Sequence, residues 1–180
     1  MRIISGDWRG RPLADLEGRG TRPTSDRARE GLFSMLASRI GSFEGLAVAD
    51  LFAGTGALGL EAISRGARHC LFVENDRSAL ETLRSNIDRF GARERADVRQ
   101  QGVEHIAPPS QPRDLVFLDP PYGKGLADMA LARIADPAWV APGGWVSVET
   151  GGEGLAVPEA FTLETERRFG KAHIHLLRRA

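Results

Sequence analysis

The residues that could do chemistry most directly follow a buried apolar run in the stretch RDLVFLDPPYG, residues 113–123. Proline lacks a backbone N–H, so the run must end at this Asp-Pro-Pro-Tyr tip, residues 119–122. The Asp119 carboxylate and the Pro120 carbonyl are two acceptors on a restricted backbone. They could bind both hydrogens of a planar exocyclic amine, as in guanine or adenine, and release the nitrogen lone pair towards a methyl group. Tyr122 would offer an aromatic face to an unstacked base.

A second set of candidate residues lies in DLFAGTGALGLEA, where a glycine-rich turn follows one apolar run and opens a helical pattern. Gly54, Gly56 and Gly59 have the spacing G-x-G-x-x-G. Glu74 ends the next apolar run, 20 residues beyond Gly54, where an acid can bind ribose hydroxyls. Together these features are typical of a nucleotide-cofactor site.

Two cofactors could occupy such a turn, and Asp50, four residues before Gly54, bears on the choice. In nicotinamide sites a pyrophosphate sits on the helix N-terminus, and an acid beside it would repel that anion. S-adenosylmethionine carries an ammonium and a sulfonium, both of which an acid attracts. Asp50 therefore favours S-adenosylmethionine, with a nicotinamide dinucleotide as the alternative and a role for Asp50 as a turn cap still open.

The elements that must position both motifs are strands and helices that alternate from residue 46 onward. This pattern predicts a Rossmann-like α/β fold with a mostly parallel sheet and helices on both faces. The last two strands lack an intervening helix and should form an antiparallel hairpin at one edge. Ligands in such sheets bind beyond the carboxyl ends of the strands. The predicted strands are LAVADLF, HCLFVE, ADVRQQ, DLVFLD, GWVSVET, FTLETERRF and AHIHLLR.

The composition is that of one domain of ordinary size: 180 residues, 42% apolar and 27% charged. No stretch approaches the length of a membrane span, and the N-terminus has no secretory signal pattern. The single cysteine, Cys70, lies in an apolar run and is expected to be buried and inert. We therefore expect a cytoplasmic protein, with a monomer as the default.

The formal charge of zero hides an uneven distribution. Residues 1–40 carry eight arginines against five acids, and residues 161–180 carry five basic residues against two acids, whereas residues 100–160 hold three basic residues against eight acids. Both termini could thus present a basic face to a polyanion, although a solvated surface would have the same composition. The candidates for contact with RNA phosphate are Arg9, Arg11, Arg22, Arg27 and Arg29.

Two histidines near the C-terminus and a tryptophan near the N-terminus could bind ligands, but packing would also explain them. His173 and His175 alternate along one strand and could bind a metal, but packing at a sheet edge is the default, and we predict no metal. Trp8 lies among arginines and could either stack on RNA or anchor the segment that carries it.

The stretches DLFAGTGALGLEA, VEND and FLDPPYG together resemble the class I S-adenosylmethionine-dependent amino-methyltransferases. MRIISGDWRGRPL and RPTSDRAREGLFSML narrow the resemblance to the RsmD-type bacterial enzymes that methylate the guanine N2 amine of 16S ribosomal RNA. The match is nearly collinear from residue 1 to about residue 123 and follows only the general pattern beyond it.

This resemblance implies a seven-stranded sheet, a small N-terminal β-hairpin at residues 1–22 that stands outside the main core and engages RNA, and a methyltransferase domain at residues 23–180. It implies a substrate on the small ribosomal subunit or its assembly intermediate. The implied catalytic residues are Asp119, Pro120, Pro121 and Tyr122. The implied cofactor-binding residues are Asp50, Phe52, Ala53, Gly54, Thr55, Gly56, Glu74, Asn75, Gly102 and Val103.

The leading hypothesis from the sequence is therefore guanine-N2 methylation of ribosomal RNA with S-adenosylmethionine. Adenine-N6 methylation of DNA or RNA is an alternative because such enzymes share the Asp-Pro-Pro-Tyr tip. A nicotinamide oxidoreductase is an alternative from another class. A non-catalytic ribosome-assembly factor ranks last, since it gives no reason for Asp119 beside a cofactor turn.

Overall fold

A computed structural model of the protein describes residues 1–16 and 26–180. Within these residues a single sheet has the strand order β3-β2-β1-β4-β5-β7-β6, with β1 to β5 parallel and β7 antiparallel to both β5 and β6. The mostly parallel sheet with an antiparallel edge hairpin is thus confirmed. The strands are β1 (Ala47–Leu51), β2 (His69–Val73), β3 (Ala96–Arg99), β4 (Arg113–Leu118), β5 (Val140–Thr150), β6 (Phe161–Phe169) and β7 (Ala172–Arg179). The helices are α1 (Asp26–Ile40), α2 (Ala57–Ser64), α3 (Arg77–Arg89) and α4 (Leu126–Ile134), with short 3₁₀ turns at Arg93–Arg95 and Val103–His105.

The two faces of the sheet bury different helices because successive side chains of a strand point in opposite directions. On one face, Val48, Phe72 and Phe117 belong to a core that also contains apolar residues of α1, α2 and α3. On the other face, Leu51 and Val116 pack with residues of α4. Helices on both faces were predicted and are confirmed. No helix within the two described ranges is long and apolar enough to cross a bilayer.

Residues 1–16 form a compact turn held by one antiparallel bridge, between Arg2 and Pro12. The sequence predicted a hairpin outside the main core, and that prediction is wrong in its placement. Ile3, Trp8 and Leu13 are buried in the same core as α1 to α3. The burial of three large apolar side chains stabilises the segment against the domain. The predicted boundary between residues 22 and 23 lies outside the described residues.

Candidate active site

The neighbouring strands β1 and β4 place the two sequence motifs side by side. The strands pair in parallel, with Leu51 opposite Leu118, so both carboxyl ends face the same way. The sheet order reverses direction between β1 and β4, where ligands bind in open α/β sheets. A cavity of about 870 Å³ opens there, a volume ordinary for a small-molecule site. The predicted site residues on its walls are Asp50, Phe52, Ala53, Gly54, Thr55, Glu74, Asn75, Gly102, Val103, Asp119, Pro120, Pro121 and Tyr122.

The glycine turn, residues 52–56, has a backbone that ordinary residues avoid. Gly54 and Gly56 have φ of 56° and 87°, and Phe52 has φ of 75°, which is uncommon for a residue with a side chain. Such strain persists only where the surrounding structure holds it, and it clusters at functional sites. The surrounding structure therefore holds the turn in this conformation, and the turn is more than a loop that joins β1 to α2.

Gly56 and Gly59 allow close packing behind the glycine turn. A Cβ at Gly56 would lie 2.5 Å from the side chain of Leu83, and one at Gly59 would lie 2.3 Å from the ring of Phe72. These contacts bring α2 close to its neighbours. Gly56 was predicted to bind the cofactor; it is not among the residues that line the cavity, and its contact with a cofactor stays a prediction.

The Asp50 carboxyl is buried at the N-terminal end of α2. Its Oδ2 accepts a hydrogen bond of 2.9 Å from the Gly59 N–H. Burial raises the pKa of Asp50 to about 7, the nearby charge of Glu74 adds to the increase, and the Gly59 bond opposes it. The Asp50 carboxyl thus accepts one of the backbone N–H groups at the N-terminus of α2. A pyrophosphate bound there would need those N–H groups for itself and would be repelled by a negative charge beside them. A cation bound nearby would restore the ionised carboxylate.

The Glu74 carboxylate joins the end of β2 to the glycine turn. Its Oε2 accepts the N–H of Gly54 at 2.8 Å, and its Oε1 accepts the N–H groups of Asn75 and Asp76, each at 2.8 Å. Three backbone donors therefore fix the orientation of this side chain. Oε2, which accepts one of these donors, keeps a second lone pair for a ligand hydroxyl.

Another part of the cavity wall comes from the loop after β3 and from α4. Gly102 and Val103, predicted to lie on the adenine side, line the cavity at the start of the 3₁₀ turn Val103–His105. Leu126 and Met129 of α4 also line the cavity, and the sequence analysis missed them. Apolar side chains in this position suit the faces of a flat ring. Leu126 and Met129 are three residues apart, so the sequence could have shown that they share one face of the predicted helix.

The Asp-Pro-Pro-Tyr tip is held by contacts from β5 and the loop that follows it. The Tyr122 hydroxyl donates to Glu149 Oε1 at 2.7 Å, and the Gly123 N–H donates to Glu153 Oε1 at 3.4 Å. A Cβ at Gly151 would lie 2.5 Å from the Tyr122 ring, so the ring packs directly on that loop. Sequence reasoning missed Glu149. The signal was an acid at the end of an otherwise apolar strand.

One buried side chain links the N-terminal segment to the glycine turn. Asn86 of α3 donates to the Thr55 carbonyl at 2.9 Å and to the Ala14 carbonyl at 3.1 Å, and it accepts the Ala14 N–H at 2.9 Å. Residue 15, next in the chain, lines the cavity. Asn86 was also missed, although a polar residue on the apolar stripe of a helix was visible in the sequence.

Of the five candidate RNA-binding arginines, three are exposed, one is buried and one lies outside the described residues. Arg9, Arg11 and Arg27 are exposed, and the Arg11 guanidinium donates to the Arg89 carbonyl at 2.8 Å. Arg22 lies outside the described residues.

Arg29 belongs to the interior rather than to a basic surface. It is fully buried, and its guanidinium donates to Asp26 at 2.6 Å and to the Arg2 carbonyl at 2.7 Å. The prediction that Arg29 contacts RNA phosphate is therefore wrong. Trp8 is also buried, with its ring centroid 4.9 Å from that of Phe90, so it anchors the N-terminal segment.

Comparisons with known proteins agree with this architecture. The chain is 38% identical to ribosomal RNA small subunit methyltransferase D of Escherichia coli, over 99% of this chain and 90% of that protein. It is 39% identical to the protein of the same name from Haemophilus influenzae, over 94% and 89%. A solved structure of the Escherichia coli protein yhhF has a TM-score of 0.87 and 37% identity, covering 99% of this chain and 97% of that one.

The similarity extends well beyond the first 123 residues, where the sequence resemblance was nearly collinear, because these alignments cover almost the whole chain. A family profile described as "Conserved hypothetical protein 95" matches residues 1–178. By profile and by relatives alike, the chain belongs to this family, that of the ribosomal RNA small subunit methyltransferases D.

Proposed function

We propose that this protein transfers the methyl group of S-adenosylmethionine to the N2 amine of a guanine in 16S ribosomal RNA, on the small subunit or its assembly intermediate. One observation carries the proposal: the glycine turn and the Asp-Pro-Pro-Tyr tip line the same cavity at the point where the sheet order reverses. The names of the relatives support ribosomal RNA as the substrate.

The residues of the glycine turn suit S-adenosylmethionine better than a dinucleotide. Glu74 offers a carboxylate of fixed orientation, with a free acceptor site on Oε2, for a ribose hydroxyl. Burial raises the pKa of Asp50 to about 7; the ionised form of this carboxyl would attract a cationic ligand and repel a pyrophosphate, and a bound cation would lower the pKa again. Val103, Leu126 and Met129 would enclose the adenine ring. A nicotinamide dinucleotide therefore fits these residues less well than S-adenosylmethionine does.

In the proposed reaction the tip prepares the amine for attack. S-adenosylmethionine, when bound, supplies an electrophilic methyl group on a positively charged sulfur. The Asp119 carboxylate and the Pro120 carbonyl accept the two amine hydrogens, and the nitrogen becomes pyramidal. Its lone pair forms the new N–C bond as the C–S bond breaks, and the nitrogen, acidic once methylated, loses a proton to Asp119 or solvent. Positioning and electrostatics supply most of the acceleration.

Tyr122 would stack on the extruded base, since its hydroxyl is already engaged by Glu149. The exposed Arg9, Arg11 and Arg27 would contact the phosphate backbone of the RNA around the target. On this account the N-terminal segment serves RNA engagement from a fixed position on the domain.

The test is methylation of small subunits, and separately of naked 16S RNA, from cells that lack the corresponding gene. Purified protein and isotope-labelled S-adenosylmethionine are added, and the nucleosides are separated by mass spectrometry. We expect label in N2-methylguanosine. Label in N6-methyladenosine instead would favour the alternative methyltransferase. Absence of any labelled nucleoside from both substrates would overturn the proposal.

A further inference from the structure

The edge hairpin of the sheet carries two histidines and a glutamate that face one another. Glu166 lies on β6, directly opposite His175 of β7 in the antiparallel register. His173 and His175 are two residues apart and therefore project from the same side of β7. One ligand atom from each of the three side chains lies within 4.8 Å of the other two.

Two distances in this cluster are those of a tetrahedral metal site. Glu166 Oε2 lies 3.3 Å from His173 Nε2 and 3.2 Å from His175 Nδ1. A zinc ion with bonds of about 2.0–2.1 Å separates its ligand atoms by about 3.3–3.4 Å. Among the described residues, the buried His175 Nδ1 makes no hydrogen bond of regular geometry, although Glu166 Oε2 is near it.

A buried hydroxyl supports the inner histidine of the cluster. His175 is 4% exposed, and its Nε2 lies 3.1 Å from Thr150 Oγ1. Metal-binding histidines commonly use their second ring nitrogen in this way, which fixes the ring orientation. The His175 ring is thus oriented with Nδ1 towards Glu166.

We propose that Glu166, His173 and His175 bind one divalent transition-metal ion. Two imidazoles and one carboxylate are a ligand set that zinc accepts, with a water molecule in the fourth position. This inference departs from the sequence-based expectation of no metal, and it does not depend on the proposed methyl transfer.

A metal at this position would join the hairpin to the end of β5. Thr150 is the last residue of β5, and its Oγ1 also accepts the Gly152 N–H at 3.4 Å. The intervening Gly151 packs on the ring of Tyr122. The ion would therefore stabilise the support of the Asp-Pro-Pro-Tyr tip without itself entering the cavity.

The experiment uses the full chain without an affinity tag, stripped of metal by a chelator and titrated with zinc chloride against a competing fluorescent chelator. We expect one zinc per chain and a higher melting temperature with zinc present, because the ion binds the folded state. Glu166→Gln and His173→Gln should each weaken the affinity at least about tenfold, since loss of a supporting partner alone commonly costs that much.

Both substitutions fall at positions that are not fully buried, so the variants should fold, and circular dichroism checks this. His105→Gln is the matched control because His105 is an exposed histidine 3.9 Å from a glutamate, Glu104. It should leave the affinity unchanged. A folded wild-type chain that binds no zinc, or binds it as tightly after Glu166→Gln and His173→Gln, would overturn the proposal.

Discussion

The glycine turn and the Asp-Pro-Pro-Tyr tip end neighbouring strands, yet they are held in different ways. The turn is fixed by residues that precede β4 in the chain: Asp50 and Glu74 accept backbone N–H groups of the turn and α2, and Asn86 of α3 donates to the Thr55 carbonyl. The tip is fixed by a residue that follows it, because the Tyr122 hydroxyl donates to Glu149 of β5. The cofactor side is thus built within β1, β2, α2 and α3, whereas the substrate side requires β5 to be in place. We expect changes in the turn to alter cofactor affinity and changes in the tip to alter turnover.

The largest expected effect is on turnover, from Asp119→Ala. Loss of one of the two acceptors for the amine should lower kcat by about a hundredfold to a thousandfold, as with loss of a donor at an oxyanion site. Affinity for S-adenosylhomocysteine, measured by calorimetry, should stay within about threefold. Asp97→Asn, at an exposed acid of β3, is the control and should change neither quantity. Full turnover by Asp119→Ala would abolish the distinction between tip and turn.

Glu74→Ala should produce the opposite pattern. The substitution removes the acceptors for the ribose hydroxyls, and hydrogen bonds to charged groups contribute about 1.5–3 kcal/mol. We expect affinity for S-adenosylhomocysteine to fall by about tenfold to a hundredfold in calorimetry. Glu81→Ala is matched, because Glu81 is an exposed acid of α3 that pairs only with Arg77 among the contacts described. Equal loss in both variants would contradict a specific role for Glu74.

A smaller effect should appear when pH is varied across the pKa of Asp50, which burial raises to about 7. S-adenosylhomocysteine has no sulfonium but keeps the ammonium group, which favours the ionised carboxylate. Its affinity should therefore increase about tenfold from about pH 6 to about pH 8. Asp50→Asn should remove this dependence. If the affinity of the wild-type protein did not depend on pH, the ionisation of Asp50 would have no role in cofactor binding.

The raised pKa of Asp50 should also affect the stability of the ligand-free protein. Because the folded pKa of Asp50 is above the unfolded value, its contribution to stability is fully present below about 3.8 and is lost as pH rises through about 7. At about pH 8, Asp50→Asn should therefore increase the free energy of unfolding, by at most about 4 kcal/mol. Denaturant unfolding measures this. A less stable variant at that pH would contradict the burial argument.

The smallest effect is expected at Tyr122. Phenylalanine keeps the stacking face, so Tyr122→Phe should retain kcat within about threefold. Tyr122→Ala removes the face and should lower kcat/KM by at least about fivefold, since stacking contributes about 1–3 kcal/mol per base. Steady-state kinetics on the same RNA compares the two. If Tyr122→Phe lost as much as Tyr122→Ala, the hydroxyl and its bond to Glu149 would be the essential feature.

The two regions also differ in how far their structures could be predicted from the sequence. Apolar alternation and glycine spacing are local signals, so they predicted the sheet, the edge hairpin and the glycine turn. Strand β6 was predicted with the bounds that the structure has. Strand β5 was predicted from residue 144 but begins at Val140, because an irregular register between Arg113 and Leu115 of β4 accommodates Gly143 and Gly144.

The features that escaped prediction depend on contacts between distant segments. The positions of the arginines in the sequence do not show which guanidinium is buried. Arg29 is buried because Asp26 and the Arg2 carbonyl accept hydrogen bonds from its guanidinium. The packing of residues 1–16 on the core depends on Asn86, 72 residues beyond Ala14. Local propensity contains no information on such pairs. Polar residues on otherwise apolar faces, such as Asn86 and Glu149, were the sequence feature that indicated these contacts.

The most direct measurement is a crystal structure with S-adenosylhomocysteine and a substrate RNA fragment. We expect the target guanine out of its stack, with N2 about 2.7–3.2 Å from both the Asp119 carboxylate and the Pro120 carbonyl oxygen. N2 should then face the sulfur of the ligand. An Asp119 side chain turned away from the base, or a ligand sulfur on the far side of the cavity, would contradict it.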